Sequence, residues 1–282
     1  MGLLSGLSSL GLGNLENAEI YDKHEDTKNL SGVVGAPVRE QDMLFDKTYT
    51  CPVCDREFKS KTVRAGKARL IGTDRDLRPR YENIDLLKYD TIVCPHCGYA
   101  ALSRYFKYMT SMQLRQIRAG ICANYHPRSY DGEIYSYDEA LERYKLTLAN
   151  AIVKRAKPSE RAYICLKSGW LLRGRAESLK ENEPDFEKKK AEYKEMEKEY
   201  LKNALEGFLA ARQTESFPMC GMDETTVDYL IAMLSMEFGQ DDLALKLVGN
   251  IIVSKTANSR MKDKAREAKE IIMKKMKEGQ NG

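Results

Sequence analysis

Four cysteines form the pattern with the clearest chemistry in this chain of 282 residues. They occur as two Cys-x-x-Cys pairs, Cys51 with Cys54 and Cys94 with Cys97. Each pair brings two thiols close enough to hold one side of a metal ion, so the four together predict one tetrahedral, sulfur-only zinc site. Four thiolates fill the coordination of zinc and leave no position for water or substrate, which favours a structural role over a catalytic one.

The residues around the cysteines indicate two tight metal-binding turns, here called knuckles. Proline follows the first cysteine of each pair, at Pro52 and Pro95, and Gly98 follows the second pair directly. The 39 residues between Cys54 and Cys94 exceed the roughly 15–20 of a simple zinc ribbon, so a long insert is predicted. A disulfide or redox-active dithiol is a weaker alternative. The same ligands could also hold a single iron that carries electrons, as in rubredoxin-like proteins.

The composition is that of an ordinary soluble protein, with 42% hydrophobic and 31% charged residues. A net charge of +4, from 46 basic and 42 acidic residues, does not require a polyanionic partner. Three cysteines outside the pairs (Cys122, Cys165 and Cys220) and the lack of a positively charged leader fit a reducing compartment. No run approaches the roughly 20 apolar residues of a membrane span. We therefore expect a cytoplasmic protein.

The elements that must position the cysteines divide the chain into three predicted parts. Residues 1–44 are predicted to be a tail and linker, with a Leu- and Gly-rich start that is expected to pack weakly on its own domain or to fray; docking to a membrane surface or partner is the alternative. Residues 45–110 are predicted to form a zinc-ribbon-like module whose long basic insert covers 55–93. Residues 111–282 are predicted to form a helical domain.

Local patterns predict the elements within these parts. Short β-prone runs at 48–50 and 91–93 lead into the two knuckles. Beyond Gly98, apolar residues recur at steps of three and four, which is typical of amphipathic helices. The predicted helices cover 100–118, 137–152, a segment opening at Pro158, 185–213, 223–238, 240–255 and 259–277.

The helices also carry a weak repeat. A small residue stands four positions before a larger one in three helices, as Ala140–Tyr144, Ala204–Phe208 and Ala244–Val248. This spacing is typical of tetratricopeptide helices, although the spacing between repeats is irregular and the Trp-Leu-Gly signature is absent. The predicted fold class is mainly α: a small β-containing zinc-ribbon or rubredoxin-like module followed by an antiparallel, tetratricopeptide-like helical array. An unrelated helical bundle is the alternative.

The insert is the other segment with functional potential. Residues 56–80 contain nine lysines and arginines against three acids. Arg64, Lys67 and Arg69 are therefore candidates for contacts with a nucleic-acid backbone. No aromatic side chain is interleaved with these bases to stack on single strands, so a solvated loop is the simpler interpretation.

No group of residues predicts catalysis. Asp74 and Asp76 are expected to pair with neighbouring arginines rather than to act as an acid–base pair. His96 lies inside the second knuckle, where residues between the cysteines generally face outward, so we expect an exposed side chain and not a ligand. The histidines have no matched nucleophile, and the three unpaired cysteines are expected to be small buried residues. The sequence therefore predicts a protein that is not an enzyme.

The order of these features resembles an uncharacterised bacterial family of unknown function, in which a split zinc-ribbon-like module precedes tetratricopeptide-like helices. The resemblance is carried by residues 50–54 (TCPVC), 89–100 and 166–173 (LKSGWLLR), and it extends from about residue 40 onward. It implies an architecture and no activity. We expect a non-enzymatic zinc protein whose helical domain is a scaffold or adaptor for a protein or peptide partner. Nucleic-acid binding through the zinc module and insert is the alternative, and an iron electron carrier is favoured less.

Overall fold

A computed structural model describes residues 38–128 and 132–280 of the chain. The Leu- and Gly-rich start, up to residue 37, lies outside the described residues. From Arg39 onward the chain belongs to one compact unit. The predicted boundaries at 44 and 110 stay predictions.

The described strands are short and pair as three antiparallel hairpins, β1 with β2, β3 with β4 and β5 with β6. They are β1 (Leu44–Thr50), β2 (Glu57–Val63), β3 (Leu70–Thr73), β4 (Pro79–Tyr81), β5 (Thr91–Val93) and β6 (Ala100–Leu102). Thr50 pairs with Glu57, and Val93 pairs with Ala100. Each cysteine pair therefore lies in the turn of its own hairpin, as the β-prone runs before the knuckles predict.

Seven α-helices follow within the described residues. They are α1 (Ser111–Ile117), α2 (Tyr137–Val153), α3 (Pro158–Glu177), α4 (Phe186–Thr214), α5 (Glu224–Glu237), α6 (Asp241–Val253) and α7 (Ser259–Gln280). The mainly α fold with small antiparallel strand pairs is confirmed, whereas the tetratricopeptide-like arrangement stays a prediction. Among the described helices, none combines the length and apolar character needed to cross a bilayer.

The prediction that the first helix begins at residue 100 was wrong, whereas its predicted end near residue 118 agrees with the structure. Ala100–Leu102 form strand β6, because β5 and β6 continue the hairpin that the second knuckle closes. The helix begins only at Ser111, where Thr110 accepts a hydrogen bond from the backbone N–H of Gln113 and Gln113 bonds back to the backbone N–H of Thr110. This capping box satisfies two orphan donors and fixes the start of α1.

The helices pack around one large hydrophobic core to which α2 through α7 all contribute. Helices α3 and α4 approach most closely where side chains are small. A Cβ atom on Gly169 would lie 2.8 Å from Leu201, and one on Gly207 would lie 2.8 Å from the Cβ of Ala162. A smaller core surrounds the cysteines and joins the strands to α1.

Candidate metal centre

The four predicted ligands come together at one point. The Sγ atoms of Cys51 and Cys97 lie 3.6 Å apart, those of Cys54 and Cys94 lie 3.7 Å apart, and all four lie within 4.8 Å of one another. A tetrahedral metal with bonds of about 2.3 Å to sulfur requires sulfur–sulfur distances of about 3.8 Å. The cluster therefore fits a metal ion bound by both knuckles.

The two knuckles have the same backbone geometry. In the first, the N–H of Asp55 donates to the carbonyl of Cys51 at 2.9 Å, and in the second the N–H of Gly98 donates to the carbonyl of Cys94 at 3.0 Å. Asp55 and Gly98 both have positive φ, 58° and 74°. A Cβ atom on Gly98 would collide with the ring of Tyr125, so glycine is required there for space as well as for conformation.

Helical side chains hold the knuckles in place. On α2, the Asn150 amide donates to the carbonyl of Gly98 at 3.0 Å. The Arg143 guanidinium, also on α2, donates to the carbonyl of Thr91 at 2.8 Å, just before the second knuckle. Arg118, directly after α1, donates to the carbonyl of Val53 between the first two cysteines at 2.9 Å. The helices thus fix the backbone that carries the thiols.

The site is closed by apolar side chains. Cys51 and Cys94 are fully buried, Cys97 is nearly so and Cys54 is half-buried. The surrounding small core includes Tyr99, Phe106 and Ile117, and the rings of Tyr99 and Phe106 lie 5.0 Å apart between centroids. Burial of this kind limits the access of water and substrate to a bound ion.

Shared hydrogen bonds separate the pKa values of the thiols. The thiolate of Cys94 accepts hydrogen bonds from Cys51 and Cys97, which lowers the pKa of Cys94 to about 2. The bond to Cys94 raises the pKa of Cys51 to about 12, and the bond with Cys51 raises the pKa of Cys97 well above its ordinary value. Before a cation binds, the four thiols therefore favour a single negative charge, on Cys94. Metal binding then requires release of the remaining thiol protons.

Residues that the sequence placed near the cysteines do not join the cluster. The Nε2 atom of His96 lies 3.2 Å from the carbonyl oxygen of Glu57 and outside the sulfur group, as predicted. Cys165 and Cys220 are buried, and Cys122 is half-buried against the small core. The prediction of small buried residues is confirmed for Cys165 and Cys220.

The candidate nucleic-acid residues are exposed, but two of them have intramolecular partners. Arg64 donates to the carbonyl of Leu44 at 3.0 Å and lies over the ring of Phe45. Arg69 lies 3.6 Å from Glu82. Nucleic-acid binding through Arg64, Lys67 and Arg69 stays a prediction.

Other charges of the insert form a second group, here called the α3 ionic cluster. Its members are Asp74, Asp76, Arg78 and Arg80 of the insert together with Trp170, Arg173 and Glu177 of α3. Trp170 donates to Asp76 at 2.8 Å, and Arg173 donates to the same carboxylate at 2.8 Å and to Asp74 at 3.1 Å. These contacts attach the β3–β4 hairpin to α3.

The same cluster neutralises the basic end of the insert. Glu177 accepts hydrogen bonds from Arg78 at 3.0 Å and from Arg80 at 2.7 Å. Arg80 also donates to Asp74 at 3.1 Å, which confirms the predicted pairing of that aspartate with a neighbouring arginine. The conspicuous 166–173 stretch of the sequence therefore supplies the helix face that anchors the insert.

Fold and site together define a class: mainly helical proteins in which two hairpin knuckles form a buried four-cysteine site against the helices. The chain belongs to the family described as an uncharacterised protein conserved in bacteria (DUF2225), whose model matches residues 44–272. This confirms the resemblance inferred from the sequence. No curated protein and no solved structure matches the chain.

Proposed function

We propose that this is a non-enzymatic, cytoplasmic zinc protein that binds a protein partner on its helices. The four cysteines would hold zinc, which fits a thiolate-only donor set in a buried site. Within the part of the chain that the structure describes, they form the only group of three or more His, Cys, Asp or Glu side chains close enough to share an ion. Bound zinc would cross-link the two hairpins, and no ligand position would remain for substrate.

One observation carries the binding role. A groove of about 670 Å³ runs along the outer faces of α2, α3 and α4, and we call it the α2–α4 groove. Its lining includes Leu148, Ala162, Cys165 and Tyr200. Ile152, which also lines the groove, is 55% exposed and extends the apolar surface toward solvent. Concave, largely apolar surfaces with a few polar groups are the usual form of binding sites.

Site-specific photocrosslinking in bacterial cells tests this role. A photoreactive phenylalanine at Ile152 is expected to form one discrete adduct whose protein component mass spectrometry identifies. The same residue at Val253, which is 78% exposed at the end of α6 and outside the groove, is the matched control. Equal adducts at both positions, or none at either, would contradict a partner in the groove.

Nucleic-acid binding is the alternative and has a direct test. We expect no retardation of RNA or DNA in a gel at low salt, because Arg78 and Arg80 are neutralised within the α3 ionic cluster and Arg69 lies beside Glu82. A variant with Arg64, Lys67 and Arg69 all changed to Gln serves as the control. Retardation by the wild type that this variant lacks would favour the alternative and weigh against a purely protein-binding role.

A further inference from the structure

We propose that the partner seated in the α2–α4 groove is an amphipathic α-helix with acidic side chains along one edge and basic side chains along the other. This inference rests on the proposed binding role and specifies the ligand of that site. The chemistry of the partner is inferred from the shape of the groove, the polarity of its floor and the arrangement of four charged side chains.

The groove is lined by side chains of α2, α3 and α4. On α4 a row runs from Met196 through Tyr200 and Gly207 to Ala210, at helical steps that share one face. That row is about 21 Å long, which corresponds to about four turns of a partner helix. Leu148 and Ile152 of α2 form the opposite wall. A channel between helices is the usual seat of an amphipathic helix, whose apolar residues point into it.

The floor favours a helix over an extended peptide. An extended backbone must find hydrogen-bond partners in the groove, and an unpaired buried peptide group costs about 1–3 kcal/mol. Ala162 and Cys165 form the floor with apolar surface. Asn203, an amide in the lining, donates back to the carbonyl of Glu199 at 2.9 Å within α4. A helix satisfies its own backbone and needs only apolar contacts here.

Four charged side chains line the groove, with positive charge on α2 and α3 and negative charge on α4. Lys145 on α2 and Arg161 on α3 provide positive charge, and Glu199 and Glu206 on α4 provide negative charge. All four side chains are exposed. Among the residues that the structure describes, none of the four has a salt-bridge partner, whereas Arg173 of α3 and Glu197 of α4 pair with each other at 2.7 Å. A partner with acids on one edge and bases on the other would pair all four.

The test uses three synthetic peptides of about 15 residues, stapled to hold a helix of the length of the groove. All share one apolar face, and their edges are acidic and basic, both acidic, or both basic. Fluorescence anisotropy with the full chain is expected to show that the mixed peptide binds at least about fivefold more tightly than either other peptide, with the difference shrinking at high salt. No binding of any peptide, or no preference for the mixed one, would overturn the inference.

A charge reversal in the groove should redirect the preference. In Lys145→Glu/Arg161→Glu both edges become acidic, so the basic peptide is expected to become the tightest ligand. Lys246→Glu/Lys255→Glu makes the same change of net charge at exposed positions outside the groove, and the mixed peptide should stay preferred. An unchanged order in the first variant, or an inverted order in the second, would contradict a site in the groove.

Blocking the groove distinguishes a helical partner from other occupants of the groove. Ala210 is exposed and lines the groove, so Ala210→Trp should fill it without disturbing the core, and peptide affinity should fall at least about tenfold. Self-association that sedimentation detects in the wild type and Ala210→Trp abolishes would identify a second copy as the occupant and overturn the inference. A crosslinked partner at Ile152 combined with no peptide binding would overturn the helix inference and leave the proposed binding role intact.

Discussion

Changing Cys97 to serine is expected to abolish stoichiometric metal binding and to unfold the strand region. Three thiolates and one hydroxyl no longer provide the donor set that the sulfur distances of 3.6 and 3.7 Å indicate. In small zinc-finger peptides, structural zinc contributes about 10–16 kcal/mol at neutral pH. A whole domain is stable by only about 5–15 kcal/mol, so this loss exceeds what the small core around the cysteines can offset.

The unfolding should be local. The small core joins the knuckles to α1, whereas α2 through α7 pack in the large core. Hydrogen exchange of Cys97→Ser is expected to accelerate in the two knuckle hairpins, residues 44–63 and 91–102, and to change little in α5, α6 and α7. Removal of metal from the wild type by a chelator should produce the same pattern. Metal analysis of the wild type is expected to find one zinc per chain, and a coloured protein with one iron would instead support the rubredoxin-like alternative.

Cys122→Ser is the matched control for this prediction. Cys122 is a half-buried thiol that packs against the same small core but lies outside the group of four. The variant should keep its metal and lose less than about 1.5 kcal/mol of stability. If Cys97→Ser retained metal, or if Cys122→Ser lost it, the assignment of the ligands would be wrong. A folded Cys97→Ser protein with altered metal chemistry would reopen a catalytic role.

The cysteine site could be predicted because its ligands are local in sequence. Each Cys-x-x-Cys pair sits in one turn, and residue type and spacing alone determine which two thiols share a turn. That both cysteine pairs bind the same ion was inferred from the four ligands that a structural zinc site requires. Helix positions were predictable for a similar reason, since a period of 3.6 residues is a local property of the chain.

Which charges of the insert are neutralised in the fold could not be predicted in the same way. The sequence predicted a basic segment over 56–80 because Glu177, a carboxylate that neutralises both Arg78 and Arg80, is almost a hundred residues away. Likewise, the four unpaired charges of the α2–α4 groove lie on three helices, and no local pattern places opposite signs on opposite edges. The start of the first helix was predicted wrongly because three apolar residues, Ala100–Leu102, fit a helix and a strand equally well until β5 provides a partner.

Changing Arg173 to alanine is expected to destabilise the protein by about 3 kcal/mol. Its guanidinium donates to Asp74, Asp76 and Glu197, and the variant leaves these carboxylates partly buried without that partner. Breaking a buried ion pair by removing one partner typically costs about 3–5 kcal/mol. We expect the lower end of that range because the Arg173 side chain is 24% exposed and Asp74 keeps Arg80.

Urea unfolding at neutral pH measures this effect, and Arg175→Ala is the matched control. Arg175 lies on the same helix and bonds Asp138 at 3.3 Å, but Asp138 is 67% exposed. Exposed pairs contribute about 0–1 kcal/mol, so the control should be nearly neutral. Equal losses in the two variants would show that lost packing of the arginine stem, and not the α3 ionic cluster, explains the effect.

The cost of Arg173→Ala should also decrease as the pH falls. Burial opposes ionisation of Asp74, but hydrogen bonds from Arg80 and then Arg173 outweigh it and hold the pKa of Asp74 below its ordinary value. A carboxylate with a lowered pKa in the folded state stabilises the fold fully above its unfolded pKa of about 4, and this contribution is lost as the pH falls through the folded value.

Without Arg173, the pKa of Asp74 rises, so protonation relieves the buried charge at a higher pH. The wild type should therefore lose stability below about pH 4 more steeply than the variant, and the difference between them should be largest at neutral pH. A difference that stays constant from pH 7 down to about pH 2 would show that the contribution of Arg173 comes from packing of its aliphatic stem and not from its charge.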